Sequence, residues 1–126
     1  MILLQVPGLA KSVYYYTLSK IDKDDKNKEI IDKIKEKGID DAHIIYINFE
    51  SLDYADITTA IELNNYIKSK VKDQKTYYVF LDEVQKVKDF EKAINSLRIT
   101  DQFSIFITGS NSKMTFIELS TDLSGR

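Results

Sequence analysis

The sequence predicts an α/β protein of three layers, in which helices cover both faces of a mainly parallel sheet of about four strands. Two observations predict it. Short apolar runs alternate along the chain with stretches of about ten or more residues that carry apolar side chains at helical spacing. The apolar runs are nearly continuous, which is typical of strands covered on both faces. At 126 residues, the chain has room for one domain of ordinary size.

The composition excludes several classes of function. The chain has no cysteine and one histidine, which excludes disulfides, thiol chemistry and metal sites built from several cysteines or histidines. Its formal net charge of −2 gives no overall basic surface for nucleic acid. No apolar run is long enough to cross a membrane, and the first residues lack the basic flank of a signal peptide. We therefore expect a soluble, cytoplasmic protein.

The first third of the chain is predicted to hold one strand and two helices. Residues 2–4 form a short apolar run before a Pro-Gly pair, as a strand followed by a loop does. Residues 11–21 carry apolar side chains on one helical face. The charged run 22–26 is interpreted as a solvated break between helices. Asn27 is then predicted to cap a second helix, which ends at Gly38.

The rest of the chain continues the alternation of strands and helices. Thr59 and Glu62 have the spacing of a capping box at the start of a helix, and Ile61 is placed on its core-facing side. Phe90 and Leu97 mark the apolar face of the next helix. The predicted elements are strands at 43–49, 76–81 and 103–108, and helices at 57–71, 90–97 and 113–123.

Two acidic residues, Asp82 and Glu83, directly follow the third predicted strand. In open parallel sheets, ligands collect at the carboxyl ends of the strands. A phosphoryl-transfer site uses a carboxylate pair there, in which the first acid supports magnesium and the second orients or deprotonates the attacking water. The alternative is that Asp82 only ends the strand and Glu83 is solvated.

A lysine and a serine, Lys11 and Ser12, follow the first predicted strand. Lys11 would contribute charge to the terminal phosphates of a nucleotide, and the Ser12 hydroxyl would ligate magnesium. The phosphate-loop motif G-x-x-x-x-G-K-[ST] requires glycines where this chain has Gln5 and Ala10. Gly8 lies inside the loop but does not restore the pattern.

The fourth predicted strand ends in small polar residues, at positions 108–112. Beside an acidic strand end they could hydrogen bond a phosphate or an attacking water, although the same residues are also ordinary turn formers. Lys-Ser, Asp-Glu and Ser-Asn thus follow the first, third and fourth predicted strands, in the order that a nucleotide hydrolase needs.

Several stretches together resemble the AAA+ P-loop ATPases of prokaryotes, a mostly uncharacterised group whose fuller members carry a nuclease-like carboxy-terminal domain. These stretches are residues 44–50, 79–85, 90–97, 107–112 and 123–126. The resemblance implies a P-loop NTPase-like core that binds ATP and Mg²⁺ and hydrolyses ATP. Because such proteins continue into a fifth strand and a helical lid, residues 1–126 are expected to be a single, partial core domain that lacks both.

The resemblance also implies roles for individual residues. It matches a degenerate Walker A segment, a Walker B acid pair, a sensor residue after the fourth strand and an arginine that contacts phosphate or acts across a subunit interface, which would make the protein a homo-oligomer. The implied site residues are Gly8, Lys11 and Ser12 for the nucleotide, Ser12 and Asp82 for magnesium, and Glu83, Asn111 and Arg126 for catalysis, with Ser110 as the alternative to Asn111.

Because of the missing glycines, we expect this chain to bind ATP feebly or not at all. One alternative is a non-catalytic protein-interaction module derived from a P-loop ATPase, which keeps the sheet without the phosphate loop. Another is a receiver-like signalling domain with Asp82 as phospho-acceptor. That alternative is disfavoured, because such domains need an acidic cluster after the first strand.

Overall fold

The computed structural model describes residues 4–5, 13–17 and 20–109, with the side chains of residues 13, 14 and 24–109. Within this part, the strands and helices are β1 (Leu4–Gln5), β2 (Val13–Thr17), α1 (Lys20–Glu36), β3 (Ile44–Asn48), α2 (Ala60–Ser69), β4 (Tyr77–Asp82), α3 (Phe90–Ile99) and β5 (Phe103–Gly109). One-turn 3₁₀ helices at Asp41–His43, Leu52–Tyr54 and Val84–Lys86 lie between them.

The strands form one sheet in the order β1-β2-β5-β4-β3. β2, β5, β4 and β3 are parallel to one another, whereas the two-residue β1 pairs antiparallel with β2 at the edge. The predicted α/β class with a mainly parallel sheet is therefore confirmed. The strand predicted from residues 2–4 is not one of the four parallel strands, because β1 is antiparallel and β2 takes that place.

Each face of the sheet carries its own apolar cluster, because successive side chains of a strand point to opposite faces. On one face, α2 and α3 bury Leu63, Ile67, Ile94 and Leu97 against the sheet. On the other face, α1 buries Ile30 and Ile34 together with aromatic residues of β4 and β5. The chain thus forms the three layers that the alternating pattern predicts.

A row of four aromatic rings crosses the α1 face of the sheet. Tyr46, Phe80, Phe106 and Tyr14 are register partners on β3, β4, β5 and β2. Their neighbouring ring centroids are 6.1, 4.8 and 5.0 Å apart, with nearly parallel planes. In-register parallel strands place equivalent side chains side by side, so the rings stack in a continuous row that packs against α1.

The predicted helix over residues 11–21 is wrong. Residues 13–17 form β2, which pairs in parallel with β5 from Val13–Ile105 to Thr17–Gly109. The apolar spacing fits a helical face, but β-branched and aromatic residues favour strands. Tyr14 stacks on Phe106 across this pair. Tertiary pairing thus decides a segment whose local pattern is ambiguous.

The predicted charged break at residues 22–26 is also wrong, because these residues belong to α1. Charged residues continue a helix well when opposite charges lie three or four positions apart, and Glu29 pairs with Lys26 and Lys33 at 3.5 Å each. Asn27 is inside this helix rather than at its cap, and only 2% of it is exposed.

The sequence signals at the other helix ends are confirmed. Thr59 and Glu62 form the predicted capping box of α2. Gly38 adopts φ +89° after α1, and its N–H donates to the Lys35 carbonyl at 2.9 Å, which is the left-handed helix ending that glycine favours. Ile61 is not a core residue, because it is 72% exposed. The predicted helix at 113–123 lies outside the described residues.

Candidate functional site

A polar row crosses the α1 face at the carboxyl ends of three strands. Asn48, Asp82 and Thr108 are register partners on β3, β4 and β5. They lie two residues beyond Tyr46, Phe80 and Phe106, so they share the face of the aromatic row. Ligands of open parallel sheets bind at this end of the strands, which makes the polar row the candidate functional site.

The Asp82 side chain is fully buried and is held by two neighbouring strands. The Thr108 hydroxyl donates to Oδ1 of Asp82 at 3.2 Å, and the Tyr46 hydroxyl donates to Oδ2 at 3.4 Å. The Asp82 carbonyl accepts a 3.0 Å hydrogen bond from the Phe49 N–H. The two hydroxyl donors fix the direction of the carboxylate.

Tyr46 connects the acid to helix α1. Its hydroxyl oxygen accepts a hydrogen bond from Nδ2 of Asn27 at 3.2 Å while its proton points to Asp82. Burial raises the pKa of the Tyr46 phenol, and the negative charge of Asp82 adds to the rise. The phenol therefore stays protonated and acts as a donor at neutral pH.

Glu83 adopts a backbone conformation that is unusual for a residue with a side chain. Its φ and ψ are 61° and 40°, in the left-handed region. Its N–H donates to the Thr108 carbonyl at 2.9 Å, and its Oε1 accepts from Nε2 of Gln85 at 2.5 Å. Only 2% of Glu83 is exposed. Backbone strain of this kind concentrates at functional sites.

Two substitutions at position 83 measure this strain. We expect the free energy of unfolding to be about 1 kcal/mol higher for Glu83→Gly than for Glu83→Ala, because glycine adopts positive φ without a Cβ penalty. Both variants lose the contact with Gln85, so their difference isolates the backbone. Urea denaturation of the two variants gives the comparison, and equal stabilities would show that the left-handed conformation is not kept.

Five predicted site residues lie outside the described part of the chain: Gly8, Lys11, Ser12, Asn111 and Arg126. The described elements beside three of them differ from the predicted ones. A strand follows Ser12 where a helix was predicted, and β2 begins at Val13, three register pairs before the Thr108 level. Only two residues connect β2 to α1, which is too short for a loop with the G-x-x-x-x-G-K-[ST] spacing.

The sequence pattern gives no role to Tyr46, Asn48 or Gln85, although all three lie at or next to the acid pair. It marks Thr108 only as one of several small polar residues. The signal that finds Tyr46, Asn48 and Thr108 is the strand register. It places all three on the same face of the sheet as Asp82. That signal becomes readable only when the partner strands are known.

A second titratable cluster lies at the opposite, amino-terminal end of β3 and β4. Nδ1 of His43 is 2.6 Å from Oδ1 of Asp40, and Nε2 is 2.8 Å from Oδ2 of Asp73. These hydrogen bonds, first to Asp40 and then to Asp73, raise the pKa of His43. They also lower the pKa values of both aspartates. The cluster ties the turn after α2 to the segment before β3.

The His43 cluster makes stability depend on pH. Because the folded-state pKa of His43 is raised, its contribution is complete below about pH 6.5, the ordinary histidine value, and is lost as the pH rises through the raised pKa. We expect His43→Gln to cost more stability at pH 5.5 than at pH 9 in urea denaturation. Lys35→Gln, which breaks the exposed pair with Asp41, should cost the same at both. An equal His43→Gln cost at both pH values would contradict this.

The residues of the polar row fit magnesium in their donor chemistry. Magnesium prefers oxygen ligands and is usually bound through one or two carboxylates together with substrate phosphates and waters. Asp82 supplies a carboxylate, and Asn48 and Thr108 supply further oxygens on the same row. Within the described residues, no three acidic or histidine side chains form a metal cage.

The parallel sheet, its covering helices and the acid at the end of β4 define an α/β protein with a P-loop NTPase-like core. Residues 28–126 match the profile of a family described as an AAA domain. The chain therefore belongs to this AAA domain family, which has an ATPase-like fold. The match begins after Gly8, Lys11 and Ser12, so it covers the acid pair but not the predicted phosphate-binding residues.

Curated relatives extend the same similarity. The chain is 38% identical over 96 residues to an uncharacterised protein of Haemophilus influenzae, which covers 75% of this chain and 24% of that protein. It is 40% identical over 82 residues to an uncharacterised protein of Methanocaldococcus jannaschii, which covers 65% of this chain and 18% of that protein. The chain thus spans about a quarter or less of these relatives. No solved structure matches.

The search for membrane-spanning helices is negative for the described part of the chain, where no helix has both the length and the apolar character to cross a bilayer.

Proposed function

We propose that this chain is the core of an ATPase domain, which binds a magnesium–nucleotide complex at the carboxyl end of β4. The observation that carries the proposal is the buried Asp82 carboxylate, whose two oxygens accept hydrogen bonds from the Thr108 and Tyr46 hydroxyls. An acid fixed at the end of a parallel strand, in an AAA domain family, has the placement that a metal-supporting Walker B acid requires.

In this proposal the acid pair divides the chemistry. Asp82 holds the metal, directly or through a water, and burial strengthens its attraction for a cation. Glu83 accepts the proton of the water that attacks the terminal phosphate. Magnesium, when bound with the nucleotide, supplies charge neutralisation for the phosphates.

The other predicted roles enter the proposal from the sequence. Lys11 and Ser12 are proposed to contact phosphate and metal, with Gly8 in their loop, Asn111 to position the water, and Arg126 to contact phosphate. None of these residues is among those described. The strand β2 follows Ser12 directly, where the phosphate-loop motif is followed by a helix.

A non-catalytic interaction module is the second candidate function. The two-residue connection between β2 and α1 favours it, because a phosphate loop normally occupies that place in a P-loop ATPase. In that case the sheet and the acid pair are kept for stability, and nucleotide does not bind at the polar row.

Paramagnetic broadening of amide signals separates the two candidates even when binding is weak. Mn²⁺ replaces Mg²⁺ with the same oxygen preference, and titration with Mn²⁺ and ATP together should broaden the signals of Asn48, Glu83 and Thr108 first. Signals of Tyr77 and Phe103, at the other end of β4 and β5, are the internal control. Asp82→Asn should abolish the selective broadening.

Two outcomes of the titration contradict the proposal. Broadening that begins at the Asp40–His43 end of the sheet would place the metal elsewhere, and no selective broadening at all would favour the interaction module. The same titration of Lys11→Ala decides the predicted lysine role, because unchanged broadening would remove Lys11 from the site.

A further inference from the structure

Three polar side chains from three elements form a continuous chain through the layer between α1 and the sheet. Nδ2 of Asn27, on α1, is 3.2 Å from the hydroxyl of Tyr46, on β3, and that hydroxyl is 3.4 Å from Oδ2 of Asp82, on β4. Asn27 is 2% exposed and Asp82 is fully buried. The Phe80 ring stacks beside the Tyr46 ring.

The direction of the hydrogen bonds along this chain follows from chemistry. A carboxylate only accepts, so the single Tyr46 proton is donated to Asp82, and the phenol oxygen is left to accept from the Asn27 amide. Both donors therefore point towards the acid. Hydrogen bonds that run in one direction polarise and strengthen one another where water is excluded.

Packing alone does not require these polar groups. Phenylalanine occupies the neighbouring places of the aromatic row on β4 and β5, at Phe80 and Phe106. A buried phenol or amide costs free energy unless it is hydrogen bonded. The Asn27 amide and the Tyr46 hydroxyl are therefore explained by their effect on Asp82, one of whose carboxylate oxygens they hold in place.

We propose that Tyr46 and Asn27 are positioning residues for Asp82: the Tyr46 hydroxyl, held by Asn27, fixes one carboxylate oxygen while Thr108 fixes the other, so that helix α1 sets the direction of the metal-binding acid. This inference rests on the proposed function for its purpose, but its geometric part concerns the side chain of Asp82 alone. A shift of α1 would move Asn27, release the phenol and loosen the acid.

The first test needs no metal or nucleotide. In the wild-type chain, three-bond NMR couplings of the Asp82 side chain should report one dominant χ1 rotamer. Tyr46→Phe, which removes a single oxygen, should average the rotamer. Tyr78→Phe is the matched control, because Tyr78 lies on the same face of the sheet but four residues before Asp82. A single dominant rotamer in Tyr46→Phe would overturn the inference.

The second test measures the consequence for the metal. In the Mn²⁺ and ATP titration, Tyr46→Phe should weaken the apparent affinity by roughly three- to tenfold, the worth of one hydrogen bond. Asn27→Ala should act in the same direction and add nothing in the Tyr46→Phe background, because the two residues act in series. Additive losses of affinity from the two substitutions would contradict the proposed hydrogen-bond series from Asn27 through Tyr46 to Asp82.

The two tests separate the inference from the proposed function. If the wild-type chain shows no selective broadening at the end of β4, the proposed function fails, and the rotamer measurement still decides whether Tyr46 positions Asp82. If broadening occurs but is the same in Tyr46→Phe, the inference fails while the proposed function stands. If Asn27→Ala does not fold, Tyr46→Phe carries the test, because the loss of one oxygen leaves the aromatic row intact.

Discussion

Phe80→Ala is expected to lower the free energy of unfolding by about 3–5 kcal/mol, the range for removing a buried phenylalanine side chain. Phe80 is 1% exposed and lies in the middle of the aromatic row, with ring centroids 4.8 Å from Phe106 and 6.1 Å from Tyr46. Its loss leaves a cavity under α1 and removes two stacking contacts. Urea denaturation, followed by far-ultraviolet circular dichroism, measures the change.

Ile61→Ala provides the control for this prediction. Ile61 is 72% exposed on α2, so its truncation should change stability by no more than about 0.5 kcal/mol. Phe80→Leu keeps an apolar side chain and should cost about 1 kcal/mol for the lost ring stacking, which keeps the comparison usable if the alanine variant does not fold. A large loss in Ile61→Ala with a small loss in Phe80→Ala would contradict the described packing.

On the proposed function, and with the weak nucleotide binding expected of this chain, Glu83→Gln should lower the rate of ATP hydrolysis extrapolated to saturating magnesium–ATP by about 100-fold or more, because glutamine cannot accept the proton of the attacking water. Its shape and size are those of glutamate, so the affinity for nucleotide should stay within about threefold. Single-turnover hydrolysis at several nucleotide concentrations separates the rate from the affinity.

Glu50→Gln is the matched control for this substitution. Glu50 is an exposed acid that follows β3 at the same end of the sheet, and we assign it no part in the chemistry. Its variant should hydrolyse ATP at the wild-type rate. Equal rates for Glu83→Gln and the wild-type chain would remove Glu83 as the general base.

The strand ends could be predicted from sequence because their signals are local. Asp82 and Glu83 follow an uninterrupted apolar run, and the change from apolar to acidic marks both the end of β4 and the place of the candidate site. The capping box at Thr59 and Glu62 is equally local, because its two bonds join residues three positions apart. Each of these features depends on a few adjacent residues.

Features that depend on distant partners were not predicted. Residues 13–17 fit a helical face, and only their pairing with β5 makes them a strand. Asparagine is a residue type that often caps helices, but the position of Asn27 in the fold depends on its contact with Tyr46, nineteen positions away. Tyr46 in turn reaches Asp82 because β3 and β4 pair in one particular register. That register cannot be predicted from the sequence of either strand alone.

The proposed function requires a metal–nucleotide complex at the carboxyl end of β4. Anomalous diffraction from crystals grown with Mn²⁺ and a non-hydrolysable ATP analogue locates the metal without reference to activity. We predict an anomalous peak within about 5 Å of a carboxylate oxygen of Asp82, the distance for coordination directly or through one water. A fully occupied nucleotide whose metal lies away from the row of Asn48, Asp82 and Thr108 would contradict the account.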